Sequence, residues 1–328
     1  MQERRVVVSG MGGELGSLVA ARLEEESWVG QLVGLDVDPP RRRLRRAEFH
    51  RVDPTNRARI VELITKVDPH VVVHFAVYEP NARATPTEAA VWSSAAALNV
   101  LGAAAECPSL DGLVVRSGIE VYGRGHGALT RPTETSRTAP TSAFGRELLE
   151  VERIARDVGA LRGVPVALMR LAPVLGPHVP SPLGRLLRLP TVPYNPLADP
   201  PFAVIDDRDA AIAATAAARL RHDGPLNIVA AGATTIRHAA RRGNRLAVPL
   251  IGPQWIAARA VTGLLGSPIP DHVGELLGRG RLADGSLAAS ALGVAPSWTT
   301  PQVIDALFAW ETVSHFHPHE HPIRRSVA

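Results

Sequence analysis

The 328-residue chain has one cysteine, Cys107, so no disulfide can form within it. That fits a reducing compartment, and the cytoplasm is the expected location. Lysine is nearly absent: Lys66 is the only one among 36 basic residues. Aromatic residues make up only 4% of the chain, so its core must be built mostly from Ala, Val and Leu. No apolar run is long enough to cross a bilayer, and no membrane span is expected. The N-terminus passes straight into a strand, leaving no room for a signal peptide. The net charge of +4 rests on arginine. The one dense basic run, Arg41-Arg42-Arg43-Leu44-Arg45-Arg46, has no interleaved aromatics. It reads as a solvated loop or a cofactor-phosphate contact, and no nucleic-acid partner is expected.

What is present starts at the N-terminus. Val6 to Val8 form a continuous β-branched run, suited to a strand buried on both faces. Gly10, Gly13 and Gly16 follow at three-residue intervals, and Leu15, Leu18, Val19 and Leu23 begin a helical apolar stripe. A strand, a glycine turn and a helix N-terminus together make an anion site. Gly10 permits the tight turn, Gly13 lets a pyrophosphate approach the backbone, and Gly16 lets the helix lie on the strand. A second apolar strand, Leu32 to Asp36, ends in an acid 20 residues past Gly16, where a ribose-binding carboxylate is expected. The alternative is an ordinary strand–turn–helix with no ligand.

Strands then alternate with helices: Phe49–Val52, Val71–Ala76, Leu113–Ser117 and Pro165–Leu171 as strands, with helices at Ile60–Ile64, Pro86–Glu106 and Ala143–Leu161 between them. This alternation means a doubly wound parallel sheet. Prolines crowd residues 173–201. Phe202–Ile205, Ala210–Leu220 and Leu226–Val229 read as a strand–helix–strand returning to the sheet. Beyond Ala230 the reading is mostly helical. The expected layout is a dinucleotide-binding domain over 1–172, rejoined by 202–230. A C-terminal substrate lobe over 173–201 and 231–312 follows, and then a histidine-rich tail over 313–328. His315, His317, His319 and His321 alternate along that tail and would share one side if extended, but prolines and terminal position favour disorder over a metal site.

Several segments resemble a known family in its order. They are Gly10-Met11-Gly12-Gly13-Glu14-Leu15-Gly16, Val52-Asp53, His74-Phe75-Ala76-Val77, Leu98-Asn99-Val100-Leu101-Gly102, Ser117-Gly118-Ile119-Glu120-Val121-Tyr122-Gly123 and Arg170 to Pro177. The family is the extended short-chain dehydrogenases/reductases, in their NAD-dependent epimerase/dehydratase branch. The resemblance runs from Arg4 to Val229. It implies an α/β Rossmann-type sheet with a smaller, mainly helical substrate lobe. It also implies dinucleotide contacts at Gly10, Met11, Gly13, Glu14, Leu15, Gly16, Asp36, Asp53, Pro54, Phe75, Ala76, Val77, Asn99, Ser117 and Pro173. The family's chemistry uses a tyrosine, a lysine four residues later and a serine or threonine on strand five. Here Phe144, Leu148 and Gly118 stand at those positions, and no Tyr-x-x-x-Lys occurs anywhere. Glu120 falls where dehydratase members carry a proton-removing glutamate, with Ile119 replacing its acidic neighbour. It is the candidate catalytic residue, and Ser117, Tyr122, Arg146 and Glu147 are further candidates to line a cleft beside it. Pro173 replaces an asparagine that many members use on substrate.

Two functions follow. One is a redox-silent dinucleotide binder: a sensor, scaffold or partner subunit. The other is a nucleotide-sugar epimerase, dehydratase or reductase using unorthodox residues such as Glu120. NAD is expected over NADP because the charge of Asp36 repels a 2′-phosphate, although Arg41 to Arg43 keep NADP open. A homodimer is expected through the helices Pro86–Glu106 and Ala143–Leu161, with Ala89, Val91, Ala96 and Ala103 as a small-residue face.

Overall fold

The computed structural model describes residues 3–309. The histidine tail and residues 310–312 lie outside them. The strands are β1 Arg4–Ser9, β2 Val29–Asp36, β3 Glu48–Arg51, β4 Val71–His74, β5 Gly112–Gly118, β6 Val166–Leu171, β7 Val174–Leu175, β8 Thr191–Tyr194, β9 Ile205–Asp206, β10 Gly224–Ile228 and β11 Leu246–Pro249. The helices are α1 Glu14–Glu25, α2 Arg57–Val67, α3 Pro86–Ala105, α4 Ala143–Arg162, α5 Pro182–Arg188, α6 Asp207–Leu220, α7 Ile236–Arg242, α8 Gln254–Leu264, α9 Asp271–Arg279, α10 Ser286–Leu292 and α11 Thr300–Ala309.

Seven strands form one parallel sheet in the order β10-β6-β5-β4-β1-β2-β3. Val6 to Val8 and Val71 to Val73 are all 1% exposed or less, because helices cover both faces. Strand order reverses between β1 and β4, which opens a crevice at their C-terminal ends. Two buried apolar clusters form. The larger surrounds the sheet, and the smaller joins α5, α7, α9 and α11 around Phe202. No helix among the described residues is long and apolar enough to cross a membrane.

One expected element differs. Phe202–Ile205 does not enter the main sheet. Phe202 exchanges backbone hydrogen bonds with Thr234, and Ile205–Asp206 pairs with β7 in a separate two-stranded ribbon. The strand stops after two residues because Asp206 caps α6, its carboxylate accepting from the Arg208 N–H at 2.9 Å. Only β10 returns to the sheet. The mostly helical C-terminal part also contains a strand, β11, paired with β8.

The expected dimer face is corrected too. Ala89, Ala96 and Ala103 are 0%, 1% and 3% exposed, so these small residues already serve the close packing of α3 within the chain. Val91 and Leu98, at 53% and 58% exposure, define its outward side.

A buried polar knot ties the sheet to α4. Glu152, fully buried, takes two hydrogen bonds from Arg170, each 2.8 Å, and one from Ser117 at 2.7 Å. Arg170 also donates to the Tyr122 hydroxyl, which donates to Asn227 on β10. Removing one partner of a buried pair strands the other's charge. Glu152→Gln should therefore cost about 3–5 kcal/mol of folding stability in a urea titration. A loss under about 1 kcal/mol would mean that water replaces the carboxylate.

Candidate functional site

The glycine turn is shaped by two close approaches. Gly10 has φ +81, and a Cβ there would lie 2.5 Å from the Phe75–Ala76 peptide. A Cβ on Gly16 would lie 1.9 Å from the Gly10 carbonyl oxygen. Gly13 is different: a Cβ there would meet only the Gly10 carbonyl oxygen, at 3.3 Å, and otherwise project into open space. That is the geometry of a backbone cradle at a helix N-terminus.

The turn floors an outer cleft of about 280 Å³. Gly10, Gly13, Glu14, Leu15, Gly16, Asp36, Phe75, Ala76 and Val77 all line it. Asp36 closes the far side. Its Oδ2 accepts from the Gly12 N–H at 2.9 Å and its Oδ1 from the Val37 N–H at 2.6 Å. Burial pushes this carboxyl up, and those N–H bonds oppose the rise. Oδ1 also accepts from the Asp38 N–H at 3.3 Å, so Oδ2 is the oxygen that keeps a lone pair for a ligand hydroxyl. Glu14, at the helix N-terminus, is paired with Arg42 at 3.1 Å. Tyr78 and Trp92 form an edge-to-face pair 5.4 Å apart, with Trp92 in the cleft wall. Arg83 lies beside them at the cleft and makes no hydrogen bond or ion pair among the described residues.

Other expected contacts sit elsewhere. Met11 is fully buried beneath the turn, against Gly34. Asp53 is exposed and braces its own turn, accepting from the Thr55 N–H and hydroxyl at 2.8 and 2.6 Å. Asn99 donates to the Pro54 carbonyl at 2.8 Å, anchoring α3 to that turn. Neither Asp53, Pro54 nor Asn99 lines the cleft.

A narrow inner cavity, with about 30 Å³ of free volume, continues the cleft, sharing Glu79, Arg116 and Val174 with it. Ser117 and Pro173 line this cavity, although the Ser117 hydroxyl is turned to Glu152. Phe144 and Leu148 form one wall. They fall in the buried stripe of α4 with Val151 and Ala155, and are 6% and 1% exposed. A Cβ at Gly118 would lie 2.2 Å from Glu120 Oε2 and 3.0 Å from Leu148 Cδ1. A serine there would therefore collide with the present arrangement. Glu120 lines the cavity, and the guanidinium of Arg281 stands 3.0 Å from it. Arg281 is itself held by Glu275 at 2.6 Å. Tyr122 belongs to the buried knot, Arg146 turns outward to the Thr141 carbonyl, and Glu147 lies half-buried nearby. None of these three lines the cavity.

The sequence reading passed over Glu79, Arg116 and His272. His272, from α9, bonds Glu79 at 3.0 Å through Nε2, and its ring leans on Phe144 with centroids 4.9 Å apart. His272 lies beyond the stretch covered by family motifs, so no local pattern marked it.

A parallel sheet with a glycine cradle at its switch point defines a Rossmann-type dinucleotide fold. The family model described as NAD dependent epimerase/dehydratase family matches residues 6–189. An uncharacterized protein of Mycobacterium tuberculosis is 30% identical over 92% of this chain and 83% of its own length. The chain belongs to the NAD-dependent epimerase/dehydratase family. Among solved structures, it is similar in fold to a UDP-glucose 4-epimerase of Thermotoga maritima (17% identity, TM-score 0.73, covering 93% of this chain and 98% of that one). A dTDP-glucose 4,6-dehydratase of Bacillus anthracis in complex with NAD is similar as well (16% identity, TM-score 0.70, 93% and 96% covered).

One acid near the cradle sets a pH dependence. Asp207, at the start of α6, is 1% exposed, and its Oδ1 has no hydrogen-bond partner among the described residues. Burial, with Asp206 and Glu14 nearby, pushes its carboxyl up to about 7 from 3.8. The fold thus favours the neutral form. That contribution is complete below about pH 4 and is lost as pH rises through about 7. Asp207→Asn should flatten the stability profile over this window and melt higher than wild type at about pH 8. Equal melting temperatures at that pH would show that Asp207 ionises freely.

Proposed function

We propose that the protein binds NAD in the outer cleft and does not perform its family's oxidoreduction of nucleotide sugars. It then serves as a sensor, a scaffold or a partner subunit. The observation that carries this reading is an open glycine cradle leading into a cavity walled by Phe144, Leu148 and Gly118. Phe144 has no ionisable hydrogen and Leu148 no charge, so neither moves a proton nor tunes one. The cradle fits the group. The Gly13 backbone and the α1 dipole suit a diphosphate, and Asp36 suits ribose hydroxyls. NAD when bound would supply a hydride acceptor. The chain's own residues hold and orient it.

The alternative is an epimerase, dehydratase or reductase with Glu120 as base. It requires that carboxylate to leave Arg281, its buried counterion. A homodimer is proposed through the outward side of α3. Light scattering should give a dimer mass, and a Val91→Glu, Leu98→Glu variant should give a monomer. A monomeric wild type would end that proposal.

Calorimetry tests the cofactor. Asp36→Ala should weaken NAD binding by about 1–3 kcal/mol, as for a lost hydrogen bond to a charged group. Tighter binding of NADP than NAD would overturn the preference. For catalysis, UDP- and dTDP-sugars with NAD should give no change in nicotinamide absorbance or sugar composition. Turnover that disappears in Glu120→Gln would establish the enzyme reading instead.

A further inference from the structure

The inner cavity holds a set of groups that the dinucleotide reading does not use. We propose that His272 and Glu79 form a general acid–base dyad there, with Arg116 as a further cation lining the same cavity. The site would perform redox-neutral proton transfer on a ligand with an acidic C–H beside a carbonyl. The proposal goes beyond NAD binding and requires no hydride step.

Three observations support it. First, His272 has the arrangement of an oriented base. Its Nε2 lies 3.0 Å from Glu79 Oε1, and an ionised carboxylate only accepts, so Nε2 carries the hydrogen. Nδ1 makes no hydrogen bond among the described residues and keeps its lone pair. The ring packs against Phe144, tilted 46° to it, and is 6% exposed, while Glu79 is 21% exposed. A base held by a third group is the arrangement that general-base catalysis needs. Second, Arg116 reaches the same cavity. Its Nη1 donates to the Val77 carbonyl at 2.9 Å, and its other N–H groups have no hydrogen bond among the described residues. A partly buried guanidinium with free N–H groups at the cavity suits a developing oxyanion. Third, the competing carboxylate is occupied, since Glu120 faces Arg281 at 3.0 Å.

The step balances without an oxidant. His272 Nδ1 takes the proton from carbon, and the C–H electron pair forms the C=C bond of an enolate. The carbonyl π pair moves to oxygen beside Arg116. Return of a proton to either face of that carbon regenerates neutral His272 and gives an epimerised or merely exchanged product. The charged groups facing His272 are Glu79, Glu147 on α4 and Arg281, which donates to its backbone carbonyl at 3.3 Å. Burial raises the Glu147 carboxyl.

The test is deuterium wash-in. The full chain with NAD is incubated in heavy water with dihydroxyacetone phosphate, pyruvate or a dTDP-linked keto sugar, and the products are read by mass spectrometry. At least one probe should gain deuterium beside its carbonyl. His272→Gln should slow this by about 100-fold or more, the scale of one general base. Glu79→Gln should displace the pH–rate profile, which a purely structural role would not do. Oxalate, a planar enolate mimic, should bind Arg116→Gln at least about tenfold more weakly than wild type, a loss of about 1.4 kcal/mol. NAD affinity and melting temperature of His272→Gln report separately on the cofactor reading and on folding. No wash-in with any of the three probes by wild-type protein that binds NAD would overturn the proposal. So would exchange that persists unchanged in a folded His272→Gln.

Discussion

The approach of α1 to the turn after β1 is the constraint on which the cleft depends. The helix lies so close that its third residue must lack a side chain: a Cβ on Gly16 would sit 1.9 Å from the Gly10 carbonyl oxygen. That contact aims the helix N-terminus at the crevice between β1 and β4, where strand order reverses. The strand ends are fixed from beneath. His74, closing β4, meets the Ser9 hydroxyl of β1 at 2.7 Å, and burial pushes its imidazole down to about 4, so it stays neutral there. From the side, Asp36 accepts the Gly12 N–H. The cradle is thus held by the sheet, by a neutral imidazole and by a carboxylate before any ligand arrives.

The same crowding explains why the three replacements at the family's catalytic positions belong together. Without a Cβ on Gly118, Glu120 Oε2 can stand where one would be, 2.2 Å from its ideal position. Leu148 packs against the same space, and Phe144 continues the wall. A single reversion to serine would push the Glu120 carboxylate aside, while Glu275 still holds the Arg281 guanidinium at 2.6 Å. The three positions thus share one packing arrangement at the wall of the inner cavity.

How much was legible in the sequence follows from how local each signal is. The strand–turn–helix from Val6 to Leu23, the acid at Asp36 and the alternation of the sheet are carried by neighbouring residues, and they read directly. Asp53, Pro54 and Asn99 have family positions, yet here Asp53 braces its own turn and Asn99 ties α3 to the Pro54 carbonyl, which only the folded chain displays. The alanines of α3 show the limit of composition: smallness permits close packing, but it does not say whether the neighbour is the same chain or another. Phe202–Ile205 has strand-forming residues, and the capping carboxylate of Asp206 ends the strand all the same. His272 and Glu79 are 193 residues apart, and no periodicity or spacing rule connects such a pair.

The charged groups of the inner cavity also decide how the C-terminal part is held. Glu120 from the sheet side takes Arg281, and Glu79 from the loop after β4 takes His272 of α9. Arg124 donates to the Leu282 carbonyl at 2.8 Å, and Arg279 returns a bond of the same length to the Arg124 carbonyl. Each carboxylate of the cavity thus finds its counterpart on the segment 272–281. Buried charges demand compensation, and here the compensation comes from the other side of the cleft. The ion pairs of the site and the packing of α9 thus draw on the same residues. A ligand that competes for His272 would act on the packing of α9 as well as on its own binding, because His272 reaches across the cleft to Glu79.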